Sequence, residues 1–194
     1  MEFDNAVKKR KSVRKFGKKR AGWKAVLDSI EAANQGPFAE NYNNLKFLII
    51  ESKEMIKKIA KSAEQDFIND AGIVVAVCSD DSHLERVYGE RGRIYSRQQA
   101  GGAIQTFLLK IADLGLAACW IGAYADELIK ENLNIPQHVQ IEAIIPVGYE
   151  DSKHKEKKPE KKELENIIYW ERWDNGRRPS LFEEPLHEEK GFRK

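Results

Sequence analysis

Cysteine is scarce, with two in 194 residues, so no disulfide framework braces this chain. Thiols at that density suit a reducing compartment. Long apolar runs are missing too: nothing approaches the roughly 18 residues of a membrane span. The opening Met1-Glu2-Phe3-Asp4-Asn5 lacks the apolar stretch of a signal peptide. His83, His138, His154 and His187 are scattered, with no cysteine or second histidine at metal-ligand spacing, so no metal site is expected. The glycine patterns G-x-G-x-x-G, the P-loop and G-x-S-x-G are absent, and no carboxylate pair stands out for acid–base work. Neither sign of charge dominates, with 33 basic residues, 31 acidic ones and a net of +2. These absences describe a soluble, cytoplasmic chain. If it is an enzyme, a bound cofactor supplies the chemistry and no side chain is catalytic.

Apolar residues make up 41% of the chain and charged residues 33%, enough for a real core. The charge is unevenly placed. Residues 8–20 hold nine bases and no acid, which leaves 24 bases against 31 acids elsewhere. Within that stretch Phe3, Ala6, Val7 and Arg10 fall at helical spacing, so Arg10 ends the stripe of a short helix. If the chain then extends, Ser12, Arg14 and Phe16 share one side. A hydroxyl and two guanidiniums converging there make a pocket for phosphate or carboxylate. The lysines at 8, 9, 15, 18 and 19 read as solvated. The patch also suits nucleic acid, which is the competing reading.

Periodicity predicts helices over 2–11, 22–34, 53–66, 98–114 and 125–133. Strands are predicted over 45–51, 72–78, 119–122 and 140–147. The run 37–44 is an amide-rich loop. The polar segment 79–97 reads as a mobile loop or lid. The helix 98–114 is apolar most of the way round and carries Gly101-Gly102, as in a core or a subunit interface. Cys78 and Cys119 read as buried, inert thiols. A charged connector, 151–163, leads to a tail with Tyr169, Trp170, Trp173, Phe182, Leu186 and Phe192 among charges, together with Pro179 and Pro185. Two opening helices, and a first strand that runs into Ser52-Lys53-Glu54 without glycine, argue for α+β over a doubly wound fold.

Several short motifs fall in a telling order: Arg10-Lys11-Ser12-Val13-Arg14-Lys15-Phe16, Ala32-Ala33 followed by Pro37-Phe38-Ala39-Glu40-Asn41, Ala100 to Leu116 ending in Leu-Gly-Leu, Cys119-Trp120-Ile121-Gly122-Ala123, and Ile144 to Tyr149. Over residues 8–165 the chain resembles the FMN-dependent nitroreductase family. The resemblance implies a central antiparallel or mixed sheet flanked by helices and an intertwined homodimer. It also implies a domain over 1–165, with 166–194 as an arm on the body or the partner subunit. An FMN would sit in each of two interface pockets. Carried over by position, Arg10 and Ser12 would hold the phosphate, Lys11 would belong to the same cofactor site, and Lys161, alone or with Lys162, would approach it. Arg14 would sit at the flavin's pyrimidine end. Pro37, Phe38, Ala39 and Asn41 would line the ring from the partner subunit, and Ile121, Gly122 and Ala123 would pack on it.

The implied activity is two-electron transfer from NADH or NADPH through FMN to a nitroaromatic, a quinone or free flavin. Neither nucleic acid nor membrane is an expected partner. Relatives of dehalogenase, flavin-destructase or azoline-oxidase type share the pattern. The chain also departs from it: Phe38 replaces a serine, Asn43-Asn44-Leu45 replaces Gln-Pro-Trp, Gln99 replaces an aspartate, and Lys161 replaces an arginine.

Overall fold

The computed structural model describes residues 2–154, 156–158 and 160–178. They form two compact units, Met1–Lys158 and Pro159–Lys194.

The first unit is built on a four-stranded antiparallel sheet in the order β1-β2-β4-β3. Its strands are β1 (Leu45–Ile50), β2 (Ile73–Ser79), β3 (Ala117–Ala118) and β4 (Gln140–Gly148). Six helices surround it: α1 (Phe3–Lys9), α2 (Trp23–Ala33), α3 (Lys53–Ser62), α4 (Ser82–Tyr88), α5 (Glu90–Asp113) and α6 (Asp126–Leu133). The architecture is α+β, as the order of elements in the sequence implied.

Every residue of β2 is buried, because the strand has a core on both faces. Ile73, Val75 and Val77 pack with Ala103, Ile104 and Phe107 of α5 and with Val26 of α2. Val74, Ala76 and Cys78 face the opposite way, toward Ile56 and Ile59 of α3 and Ile129 of α6. The β2–β4 register jumps from Val77↔Ala143 to Cys78↔Ile141, so Glu142 is an extra residue in β4. A bulge of this kind re-aims a side chain. It puts Ile141 and Ile144 in one cluster and turns Glu142 toward α5.

The segment 79–97 is a correction to the sequence reading. It is α4 and the first turns of α5, joined at Gly89 with φ +59°. A buried polar network holds it instead of an apolar stripe. Arg97 pairs with Asp81 and with Glu142. The Ser96 hydroxyl donates to Asp81 Oδ1 at 2.5 Å, and the Ser79 hydroxyl donates to Glu142 Oε1 at 2.5 Å. Gly92 lets the two helices touch, since a Cβ there would lie 2.3 Å from the Leu84 carbonyl carbon.

Smaller corrections follow from exposure and hydrogen bonding. Phe3 and Val7 do not bury an apolar stripe on α1: they are 70% and 39% exposed, and only Ala6 is buried. Likewise Trp23 and Leu27 of α2 remain exposed while Val26 and Ala33 are buried. The expected strand 119–122 is displaced, with the ladder at Ala117–Ala118 and Ile121 making only an isolated bridge to Ile144. α5 ends as anticipated: Gly115, at φ +73°, donates its N–H to the Ala112 carbonyl, and Leu116 donates to Ile111.

In the second unit Leu164–Asn166 make a 3-10 turn, and Tyr169 meets Trp173 edge-on at 5.1 Å. Phe182, Leu186, Phe192, Pro179 and Pro185, on which the reading of an arm partly rested, lie outside the described residues.

Candidate functional site

The helix α1 stops at Arg10, whose backbone turns extended at φ −58°, ψ 122°. The chain then runs as an extra edge beside the sheet. Ser12 bridges Ala118 in parallel, Val13 donates its N–H to the Ala118 carbonyl at 3.0 Å, and Phe16 bridges Glu150. Val13 and Phe16 point inward and are buried.

Alternation along this edge sorts the cationic residues. The Lys11 ammonium lies 2.7 Å from Glu150 and donates to the Glu156 carbonyl at 2.6 Å. Lys11 and Val13, with Arg10 at the corner, line a cleft of about 560 Å³ that Glu150 and Glu156 also border. Lys158 closes the same cleft by donating to the Val7 and Lys8 carbonyls. Ser12 and Arg14 take the other side, beside Cys119. Burial pushes the Cys119 thiol up, and Arg14's charge and the Ser12 hydroxyl oppose that rise. Among the described residues neither Arg10 nor Arg14 has an ion-pair partner, whereas the Lys11 charge is already matched.

After β3 the chain passes Cys119 and Trp120 to a turn at Ile121–Ala123. Ile121 is pinned by a reciprocal pair of 3.0 Å hydrogen bonds with Ile144. Gln65 Nε2 donates to the Ala123 carbonyl at 3.3 Å, and Ala125 donates its N–H to Ser62 at 2.8 Å. Gly122 is exposed, and a Cβ there would meet nothing within 4 Å. The turn is therefore fixed from behind and open in front. Gln65 was not singled out from the sequence, because a side chain bonding a backbone carbonyl leaves no periodic trace.

The loop between α2 and β1 forms a second element. Ala39–Asn41 make a tight turn in which Glu40 and Asn41 both take left-handed backbone, φ 53° and 56°. Two such non-glycine residues in sequence cost on the order of 1–3 kcal/mol each and persist only where their surroundings enforce them. Phe38 is half-buried against its own chain's core. Pro37 and Asn41 are exposed, and Ala39 donates its N–H to Gln99 Oε1 at 3.0 Å. Among the described residues no hydrogen bond or ion pair joins 37–41 to 10–14 or to 121–123. Lys161 and Lys162 belong to the second unit and are exposed there.

Tested against a flavin mononucleotide, the donor set fits. The phosphate is a dianion, for which Arg10 offers a guanidinium and Ser12 a hydroxyl, and Arg14, without an ion-pair partner among the described residues, leaves a second guanidinium for the ring. The open space before Gly122 admits a planar ring against backbone. Among the described residues no three His, Cys, Asp or Glu side chains gather as a metal site. No helix among them is long and apolar enough to cross a membrane.

A sequence model of the nitroreductase family matches residues 60–149. A protein of Methanothermobacter thermautotrophicus, named as an NADH dehydrogenase/NAD(P)H nitroreductase, is 31% identical over 154 residues, 77% of this chain and 78% of the other. The chain belongs to the nitroreductase family. Among other family relatives, the iodotyrosine deiodinase of Thermotoga neapolitana is 26% identical over 167 residues, 78% of this chain and 89% of its own. An FMN-dependent nitroreductase of Clostridium difficile R20291 shares the nitroreductase fold with a TM-score of 0.73. It is 21% identical, and the match covers 88% of this chain and 99% of that one.

Proposed function

We propose that this nitroreductase-family chain is an FMN-dependent oxidoreductase that moves two electrons from NADH or NADPH to an organic acceptor. The observation that carries the reading is that Arg10 and Arg14, neither of them ion-paired among the described residues, flank Ser12 where it bridges Ala118, in the strand that leads to the open turn at Gly122. Bound there, the flavin supplies reversible hydride chemistry.

The chain's own residues bind and orient. Arg10 and Ser12 hold the phosphate. Lys11 contributes by bracing the edge through Glu150 and Glu156. Arg14 stabilises negative charge at the pyrimidine end of the ring, which makes the reduced state easier to reach. Ile121, Gly122 and Ala123 form the backing surface, and the Gly122 N–H is free to donate to the ring. Protons come from water, so no acid–base side chain is required.

Pro37, Phe38, Ala39 and Asn41 reach the ring from a second copy of the chain. The absence, among the described residues, of any hydrogen bond or ion pair joining 37–41 to 10–14 or 121–123 is consistent with a site completed by a homodimer. So is the apolar surface left by Phe3, Trp23 and Leu27, which are 70%, 49% and 44% exposed. Phe38, turned toward its own core, adds less to the ring wall than Pro37 and Asn41.

The acceptor is a nitroaromatic, a quinone or free flavin, and the deiodinase relative adds an aryl iodide to the compounds worth presenting. The test is a titration of FMN-free protein with FMN, followed by fluorescence quenching and light scattering. Saturable uptake of one FMN per chain in a dimer is the expected result; no uptake overturns the reading. Salt-dependent binding of duplex DNA without FMN uptake would favour the nucleic-acid reading instead.

A further inference from the structure

Gln99, on α5, is 6% exposed and bonds to both ends of the loop that carries Pro37 and Asn41. Its Oε1 accepts the Ala39 N–H at 3.0 Å. Its Nε2 donates to Asn44 Oδ1 at 2.5 Å and to the Tyr42 carbonyl at 3.4 Å. Between those anchor points lie Glu40 and Asn41, the two left-handed residues. Asn44 is itself fixed, donating through Nδ2 to Ser96 Oγ at 2.7 Å and to the Asp80 carbonyl at 3.0 Å. Ser96 leads on to Asp81 and its partner Arg97. A buried polar chain therefore runs from the bulged Glu142 of β4 to the tip of the loop.

The tip itself is free to bind something. The Asn41 side chain is exposed and makes no hydrogen bond among the described residues. A second, outer tie steadies the turn: His83 Nε2 lies 3.1 Å from Glu40 Oε2, and the His83 ring meets the Tyr42 ring at a tilt, with centroids 4.1 Å apart. Holding a strained turn in one shape before a ligand arrives removes the entropic cost of ordering it later.

We propose that Gln99 is a positioning residue that sets the shape of the Pro37–Asn41 loop and so presents Asn41 to the flavin site. The inference rests on the flavin reading for its consequence, but not for its geometry. A primary amide suits the position because it accepts from Ala39 while donating to Asn44 and Tyr42. A carboxylate there could accept from Ala39 but could not donate, and it would add a buried negative charge near Asp81.

The test compares the full chain with Gln99→Leu, which keeps the bulk, and Gln99→Glu, which keeps the acceptor oxygen. Two readouts are taken: amide hydrogen exchange at Ala39 without cofactor, and FMN affinity by fluorescence titration. In Gln99→Leu we expect exchange at Ala39 to accelerate about tenfold or more. FMN affinity should fall about tenfold, the yield of one lost hydrogen bond, with the melting transition still cooperative. Gln99→Glu keeps the acceptor for the Ala39 N–H, so exchange there should rise less than in Gln99→Leu, and this readout keeps the test informative if Gln99→Leu fails to fold. Unchanged exchange at Ala39 overturns the proposal. So does faster exchange with unchanged FMN affinity. If the parent chain takes up no FMN, the flavin reading fails, and the exchange result alone decides whether Gln99 sets the loop.

Discussion

Arg97 of α5 ion-pairs with Glu142 of β4, and Glu142 is the residue that the β2–β4 register skips. The bulge and the guanidinium are two parts of one device. The Glu142 side chain is 9% exposed, and Arg97 and Ser79 supply it with a cation and a hydroxyl donor. Replacing Arg97 by Ala strands that carboxylate. We expect a loss of roughly 3 kcal/mol, the low end for breaking a buried pair because Arg97 itself is partly exposed. Chemical denaturation measures it, and hydrogen exchange should show the opening confined first to 82–97. A change below about 0.5 kcal/mol, the level of an exposed pair, would contradict the account.

Gly92→Ala should be the most damaging single-methyl change in the first unit. The new Cβ would lie 2.3 Å from the Leu84 carbonyl carbon and 2.5 Å from the Glu85 nitrogen, both backbone atoms. Backbone cannot swing away as a flexible side chain can, so α4 and α5 must part. Over-packing of this kind costs about 3 kcal/mol, read as a lower melting temperature. Gly101→Ala serves as the control, since nothing lies within 4 Å of its new methyl.

Cys78 gives the chain an alkaline signature. Burial pushes its thiol from 9.0 up to about 11, with Glu142 adding to the rise and Lys130 opposing it. The folded chain therefore holds this proton more tightly than the unfolded chain does. The group's contribution is complete below pH 9.0 and is lost as pH climbs from there toward 11. We expect Cys78→Ala, measured against its own stability at pH 8, to decline less steeply across that window, by about 2 kcal/mol. Parallel stability–pH curves for the two proteins would count against a buried neutral thiol. Native Cys78 should also resist alkylation at neutral pH.

The matched and unmatched cations at residues 10–14 should differ in their effect on cofactor retention. Arg10→Ala and Arg14→Ala remove unpaired charges and should each weaken FMN binding by about ten- to a hundredfold, the range of a lost hydrogen bond to a charged group. Lys11→Ala removes a charge already matched by Glu150 and should weaken it less. The three dissociation constants, taken at one salt concentration, test the ranking. Equal losses in all three would mean that charge near the cofactor acts whether or not it is already paired.

Much of this was readable in the sequence because hydrophobic periodicity reports burial. The runs 45–50, 73–79 and 140–148 show it, as does the long apolar stripe of α5 from Ala100 to Ala112. The segment 79–97 escaped for the opposite reason. Its helices are held by Asp81, Ser96, Arg97 and Glu142 bonding one another, and by Gly92 acting as a contact point. Polar residues that satisfy each other inside a fold look, in sequence, like polar residues facing water. Strand alternation grouped Ser12, Arg14 and Phe16 on one side, but Phe16 packs inward with Val13 where the chain bridges Glu150. The matching of Lys11 by Glu150, 139 positions away, could not be read from alternation. Gln65 and Gln99 escaped for the same reason, since each acts through backbone groups distant in sequence.

Anaerobic addition of NADH or NADPH to the FMN-loaded protein, followed by visible absorption and then by an acceptor, tests the redox account most directly. The yellow band should bleach with one equivalent of nicotinamide per flavin and return when a quinone or nitroaromatic is added. A protein that holds FMN yet keeps its colour with both nicotinamides would contradict it.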